Sequence, residues 1–200
     1  MNPIYFQTQF LSSADNLAQC PDAEVEVAFA GRSNAGKSSA INAITRQNKL
    51  ARTSKTPGRT QLINHFIVED SRFIVDLPGY GYAQVSKSKQ KAWRAAMLRY
   101  LTRRESLRGV VLVMDIRHPL QDSDWSMIEL QQAGAAELHL LLTKADKVSR
   151  SVRKQTVMRV QSAVEEAGVV ATIQDFSALK GDGLDDAHSV LDAWLFNKPL

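Results

Sequence analysis

Apolar positions along this chain recur with two different spacings. Val25-Glu-Val-Ala-Phe-Ala30 reads as a strand, and residues 37–47 carry apolar side chains at helical spacing. Residues 48–59 are polar and basic, with Thr56-Pro-Gly-Arg59 as a turn signal. Residues 60–68 alternate as a strand, Glu69-Asp-Ser71 turns, and Arg72-Phe-Ile-Val-Asp76 returns. So short a connection predicts an antiparallel hairpin. Residues 87–104 predict a helix with Trp93, Met97, Tyr100 and Leu101 on one core-facing stripe. Residues 109–115 predict a strand buried in a parallel sheet, followed by a helix over 123–133 and a strand over 137–143. A long helix over 149–167 starts at Ser149 and stops near Gly168. The last strand is expected over 169–173 and the last helix over 183–195.

This alternation predicts an α/β fold. The expected sheet has six strands, mostly parallel with one antiparallel strand, and helices on both faces. The expected organisation is an N-terminal arm over 1–22, one domain over 23–196 and a tail over 197–200. Tyr5, Phe6 and Phe10 give the arm two readings, packing on the domain or binding RNA, and packing is favoured.

Composition narrows the class. Two hundred residues are enough for one domain with a full core, and 44% hydrophobic with 23% charged residues excludes wholesale disorder. No apolar run approaches a membrane span, and the N-terminus has neither a basic start nor an apolar signal core, so a cytoplasmic location is expected. Cys20 is the only cysteine, which excludes an internal disulfide, and nothing around it suggests a reactive role. His65, His118, His139 and His188 lack metal-ligand spacing and read as surface or packing residues.

The net charge of +4 is unevenly spread. Residues 37–68 contain no Asp or Glu but carry Lys37, Arg46, Lys49, Arg52, Lys55 and Arg59. Lys87, Lys89, Lys91, Arg94, Arg99, Arg103, Arg104 and Arg108 form a second cluster against Glu105 alone. Such clusters suit an anionic partner such as RNA; the competing reading is a solvated helix face.

The chemistry begins at Gly31, Arg32, Ser33, Asn34, Ala35, Gly36, Lys37, Ser38 and Ser39, a G-x-x-x-x-G-K-S pattern between strand and helix. Gly31 and Gly36 let the backbone form a nest of N–H donors for phosphates. Lys37 adds a point charge, Ser38 offers Mg²⁺ a hydroxyl, and the following helix directs its positive end at the anion. Asp76 ends a strand and begins Asp76-Leu77-Pro78-Gly79, where a carboxylate can hold Mg²⁺ through water and Gly79 leaves room for a γ-phosphate. Thr143-Lys144-Ala145-Asp146 follows another strand. Asp146 can accept both N–H donors on the edge of guanine, which selects GTP over ATP. Lys144 can lay its stem over the loop and base. Thr143 stands where Asn is commoner, so some ordering of the loop is expected to be lost. Ser177 and Ala178 follow the final strand, where backbone N–H groups can reach the guanine carbonyl. Thr60 is the candidate second hydroxyl ligand of Mg²⁺, with Thr56 as rival, so the preceding loop would order with GTP and loosen with GDP.

Together, Gly-Arg-Ser-Asn-Ala-Gly-Lys-Ser-Ser, Thr-Pro-Gly-Arg-Thr-Gln, Asp-Leu-Pro-Gly-Tyr-Gly-Tyr-Ala and Thr-Lys-Ala-Asp resemble the EngB (YihA/YsxC) family of bacterial P-loop GTPases over residues 21–195. The resemblance implies GTP binding and hydrolysis with Mg²⁺. It also implies a role in late assembly of the large ribosomal subunit, with its rRNA and protein as partners, and a link to division septation. By position it gives Gly31 to Ser38 to the phosphates and Ser38 and Thr60 to Mg²⁺. Gly58, Arg59, Thr60, Gln61 and Leu62 become the first switch, and Asp76, Leu77, Pro78 and Gly79 the anchor of the second. Thr143, Lys144, Ala145 and Asp146, with Phe176, Ser177 and Ala178, hold the base.

Lys37, Asn34, Thr60 and Gly79 are the catalytic candidates. Many small GTPases orient the attacking water with a Gln after the DxxG glycine; here that residue is Tyr80, which cannot do so. Asn34 is similar to the residue that helps hold a monovalent cation in K⁺-dependent relatives, so slow turnover raised by K⁺ or the ribosome is expected. Arg59 is a weaker candidate for charge stabilisation. A monomer without DNA binding is expected. Two further readings stay open: a P-loop kinase, and a septum-associated scaffold that binds GDP or GTP without contacting the ribosome.

Overall fold

The structure is a computed structural model that describes residues 2–51, 62–81 and 87–197. A seven-stranded sheet forms its centre in the order β1-β3-β4-β2-β5-β6-β7. The strands are β1 (Gln9–Ala14), β2 (Val25–Gly31), β3 (Ile63–Glu69), β4 (Arg72–Asp76), β5 (Leu107–Asp115), β6 (Glu137–Thr143) and β7 (Thr172–Asp175). β3 runs against both neighbours, and every other adjacent pair is parallel. The single reversed strand is as expected, but the sheet has seven strands rather than six. The extra one, β1, lies in the segment read as an arm and pairs with the edge of β3.

All seven residues of β2 are buried, as a strand covered on both faces requires. On one face lie α1 (Lys37–Ile44) and α5 (Leu184–Phe196); on the other lie α2 (Lys87–Arg103), α3 (Asp122–Gln132) and α4 (Arg150–Glu166). Met97, Tyr100 and Leu101 are buried as the helical stripe predicted, and Trp93 is partly so.

α4 ends as its sequence directs, since Ser149 Oγ accepts from Val152 N and Gly168 sits at φ +70°. Gly168 N donates to Glu165 O and Val169 N to Val164 O, both at 2.9 Å. That paired C-cap uses up the first residues expected in the last strand, so β7 begins at Thr172 instead.

The N-terminal segment packs on the domain. Tyr5 is fully buried, and its hydroxyl donates to Asp192 Oδ1 of α5 at 2.9 Å. Asn2 N donates to His188 Nδ1 at 2.9 Å. Burial pushes the Cys20 thiol up to about 11, in keeping with its bland reading. Among the described residues, no helix is long and apolar enough to cross a membrane.

Candidate functional site

The C-terminal ends of β2, β4, β5 and β6 and the turn after β7 share one edge of the sheet. β2 leads into α1 on one face and β5 leads into α3 on the other, so a crevice opens between them, the usual ligand position in such sheets.

Gly31 closes β2, residues 32–36 form the loop, and Lys37, Ser38 and Ser39 make the first turn of α1. Gly36 stands at φ +100°, and a Cβ there would meet Thr143 Oγ1 at 3.1 Å. No side chain caps α1, which leaves its first N–H groups for an anion. Thr143 Oγ1 reaches Ala35 O and, at 3.0 Å, Met114 O. Its single proton serves one carbonyl at a time. The hydroxyl therefore ties β6 to the loop. Lys144 Nζ donates to Asn34 O at 2.7 Å and pairs with Asp115 Oδ2 at 2.9 Å, so its stem crosses the loop as expected.

Asp76 ends β4, and Lys37 Nζ donates to its Oδ1. Asp76 thus already holds one cation, and with the half-buried Ser38 it offers hard oxygen donors suited to Mg²⁺. Leu77 and Pro78 are buried, and Gly79 is half-buried beside the loop. Leu62 lies just before β3; Gly58, Arg59, Thr60 and Gln61 lie outside the described residues.

Beyond β6, Asp146 Oδ1 accepts from Ser177 Oγ at 2.7 Å, and that bond holds the Asp146 carboxyl below its usual range. Ala145 N donates to Phe176 O at 3.1 Å and Phe176 N to Leu142 O at 2.8 Å, which fastens the loops after β6 and β7 together. Ala178 is exposed at the rim.

Three further residues shape this site, and the sequence pattern marks only one of them. Arg153 of α4 donates to Ala145 O at 2.8 Å and to Asp182 Oδ2 at 2.7 Å, bracing the loops after β6 and β7, and no local signal marks it. Asp115 ends β5 as Asp76 ends β4, which is a readable signal. Burial raises its carboxyl pKa, but hydrogen bonds from Arg117 and Lys144 outweigh that and hold it well below the usual range. Asp124, in the first turn of α3, is fully buried and takes Arg32 and Tyr80 as partners.

A family model described as 50S ribosome-binding GTPase matches residues 26–144. The probable GTP-binding protein EngB of Vibrio parahaemolyticus is 50% identical over 95% of this chain and 87% of its own length. That of Glaesserella parasuis is 52% identical over 95% and 91%. The chain belongs to the EngB family. It is a GTP-binding protein that hydrolyses GTP. A crystal structure of a probable GTP-binding protein engB superposes at TM-score 0.68 with 21% identity, covering 87% of this chain and all of that one. Era in complex with MgGDPNP and 16S ribosomal RNA superposes at 0.66 with 20% identity, over 90% of this chain and 60% of that one. At these identities the two superpositions establish the fold.

Within this EngB-family site, Tyr80 does not occupy the place of a water-orienting side chain. It is buried, its hydroxyl donates to Asp124 Oδ1 at 3.1 Å, and its ring packs on Trp93 at 5.5 Å.

Proposed function

We propose that this EngB-family GTPase is a cytoplasmic switch in late assembly of the large ribosomal subunit, with hydrolysis acting as the timer for release. The observation that carries the reading is the meeting, on one sheet edge, of an uncapped phosphate loop with the Asp146 carboxylate poised for guanine. Gly31 to Ser38 hold the phosphates, and the Lys37 ammonium leaves Asp76 for the β- and γ-phosphates. Asp146 accepts from the paired N–H donors of guanine, while Ser177 and Ala178 present N–H groups to its carbonyl. Ser38 would hold Mg²⁺ through its hydroxyl, with Thr60 as the second expected hydroxyl ligand and Asp76 acting through water, and the ion would supply positive charge beside the phosphates. Gly79 meets the γ-phosphate with its backbone N–H.

Because Tyr80 is committed to Asp124, intrinsic hydrolysis is slow, and K⁺ near Asn34 or the ribosome accelerates it. Equal rates in Na⁺ and K⁺ would remove the cation from this account.

α2 is the proposed ribosome-facing element. Lys91, Arg94, Ala95, Leu98, Arg99, Thr102 and Arg103 lie along one exposed face at helical spacing, and the helix contains no acidic residue. Structure trims the basic cluster expected from sequence: Arg104 is engaged by Glu26 and Pro21, and Arg94 meets Glu129 at 3.5 Å. Lys91, Arg99, Arg103 and Arg108 form no ion pair among the described residues. Such a face suits the phosphates of rRNA.

The test is sedimentation with ribosomal subunits, loaded with GDP or a non-hydrolysable GTP analogue, across a salt series. Co-migration with the large subunit in the analogue state, lost as salt rises, is expected. Replacing Arg99 and Arg103 by Ala should flatten the log–log salt dependence by roughly two units. Absence of co-migration in both states would overturn the ribosomal reading and bring forward the scaffold.

A further inference from the structure

Asp124 is a carboxylate with no exposed surface, held at the start of α3 by Gln121 N, which donates to Oδ2 at 3.0 Å. Two elements of the nucleotide site converge on it. Arg32, from the phosphate loop, donates through Nε to Oδ1 at 3.0 Å and Oδ2 at 3.2 Å, and through Nη2 to His118 O at 2.7 Å. Tyr80, the residue after Asp76-Leu77-Pro78-Gly79, donates its hydroxyl to Oδ1 at 3.1 Å. The backbone repeats the junction: Ser33 N donates to Tyr80 O at 3.0 Å, and Tyr80 N to Gly31 O at 3.4 Å. Beyond it, Gly81 stands at φ +81°, and a Cβ there would press on Arg32 Cγ at 3.3 Å and touch Ser123 Oγ at 3.5 Å. The chain therefore leaves Tyr80 through a position suited to glycine, beside the phosphate loop and the start of α3.

We propose that Asp124 is a positioning residue for nucleotide discrimination: through Tyr80 it fixes Gly79 against the phosphate loop, ready for a γ-phosphate. The inference rests on the reading that Gly79 meets that phosphate. A flexible arginine and a phenol that share one buried acceptor lose little further freedom when nucleotide arrives, so the γ-phosphate meets a preorganised N–H. GDP, which has no γ-phosphate, draws on the loop and α1 alone. Tyr80→Phe removes one hydrogen bond and leaves Arg32 on Asp124, so it loosens the Gly79 side without disturbing the loop side.

The test is titration of GDP and of a non-hydrolysable GTP analogue into wild type, Tyr80→Phe, Asp124→Asn, the Tyr80→Phe/Asp124→Asn double variant and Gly79→Ala, with thermal melts to establish that each variant is folded. Tyr80→Phe should weaken the analogue about fivefold while GDP affinity stays within about twofold. The double variant should change the analogue-to-GDP ratio no more than Asp124→Asn alone, because both act through one contact. If Asp124→Asn does not fold, Tyr80→Phe decides the matter. An unchanged ratio in Tyr80→Phe, or equal weakening of both nucleotides, overturns the role of Asp124 provided Gly79→Ala still shifts the ratio. If Gly79→Ala leaves the ratio unchanged, the reading of Gly79 falls, and this inference with it.

Discussion

Lys37 and Asp76, 39 positions apart, hold each other's charge across the mouth of the phosphate loop, with side chains only 12% and 8% exposed. Removing one partner strands the other. Lys37→Ala should lower stability by about 1–3 kcal/mol and weaken GDP binding by about a hundredfold or more, read by thermal melts and calorimetric titration. Adding Asp76→Asn should recover part of the stability and none of the binding. A melt unaffected by Lys37→Ala would mean that the pair contributes nothing.

Thr143 ties β6 to the phosphate loop through one hydroxyl. Thr143→Val preserves shape and leaves the Ala35 and Met114 carbonyls without that donor. The expected cost is about 1–2 kcal/mol in stability, with GDP binding weakened roughly tenfold because the loop loses its tie to β6. Weakened binding with an unchanged melting point would instead place the effect on nucleotide contact alone.

Asp146→Asn exchanges an acceptor for a donor at one position of the carboxylate. Guanine presents donors there and should lose about a hundredfold or more in affinity, while xanthine, which presents a carbonyl in place of the amino group, should lose far less. Competition between the two nucleoside diphosphates measures this directly. Equal losses would mean that Asp146 does not read the base.

Acid should destabilise the fold through its buried histidines. Burial lowers the pKa of His139 to about 4, and lowers those of His65 and His188 as well. The unfolded chain protonates near pH 6.5 and the native His139 does not, so stability is full above that value. It falls as pH drops toward 4 and levels off below. His139 alone accounts for on the order of 3 kcal/mol across that window. His139→Gln should flatten the slope between pH 6.5 and 4 in denaturant titrations; an unchanged slope would assign the acid sensitivity to His65 and His188.

Most of the site is legible in the sequence because it consists of contiguous segments at strand ends, where residue type and spacing report the same chemistry. β6 falls at residues 137–143 as its apolar run indicates, since a strand buried on both faces has few alternatives. β1 is not legible. Gln9-Phe-Leu-Ser-Ser-Ala14 does not alternate cleanly, Phe10 and Leu11 remain exposed, and the strand exists because β3 offers it an edge. Arg104 falls into an apparently free basic cluster for a related reason. Its partner Glu26 lies 78 positions away, beyond any local pattern. Asp124 illustrates the same limit: in sequence it is an ordinary acid in a helix's first turn, and only folding brings Arg32 and Tyr80 to it.

The stitching of residues 2–5 onto α5 has a temporal consequence. Asn2 and Tyr5 find their partners at Asp192, 190 and 187 positions later. During synthesis, those first residues must wait, solvated, until α5 has left the translating ribosome, while the phosphate loop and its neighbouring strands can begin to pair. Docking of the N-terminal segment is therefore a late event in the birth of the chain. A nascent chain stalled before α5 should leave Tyr5 accessible to chemical labelling, and extension through α5 should shield it.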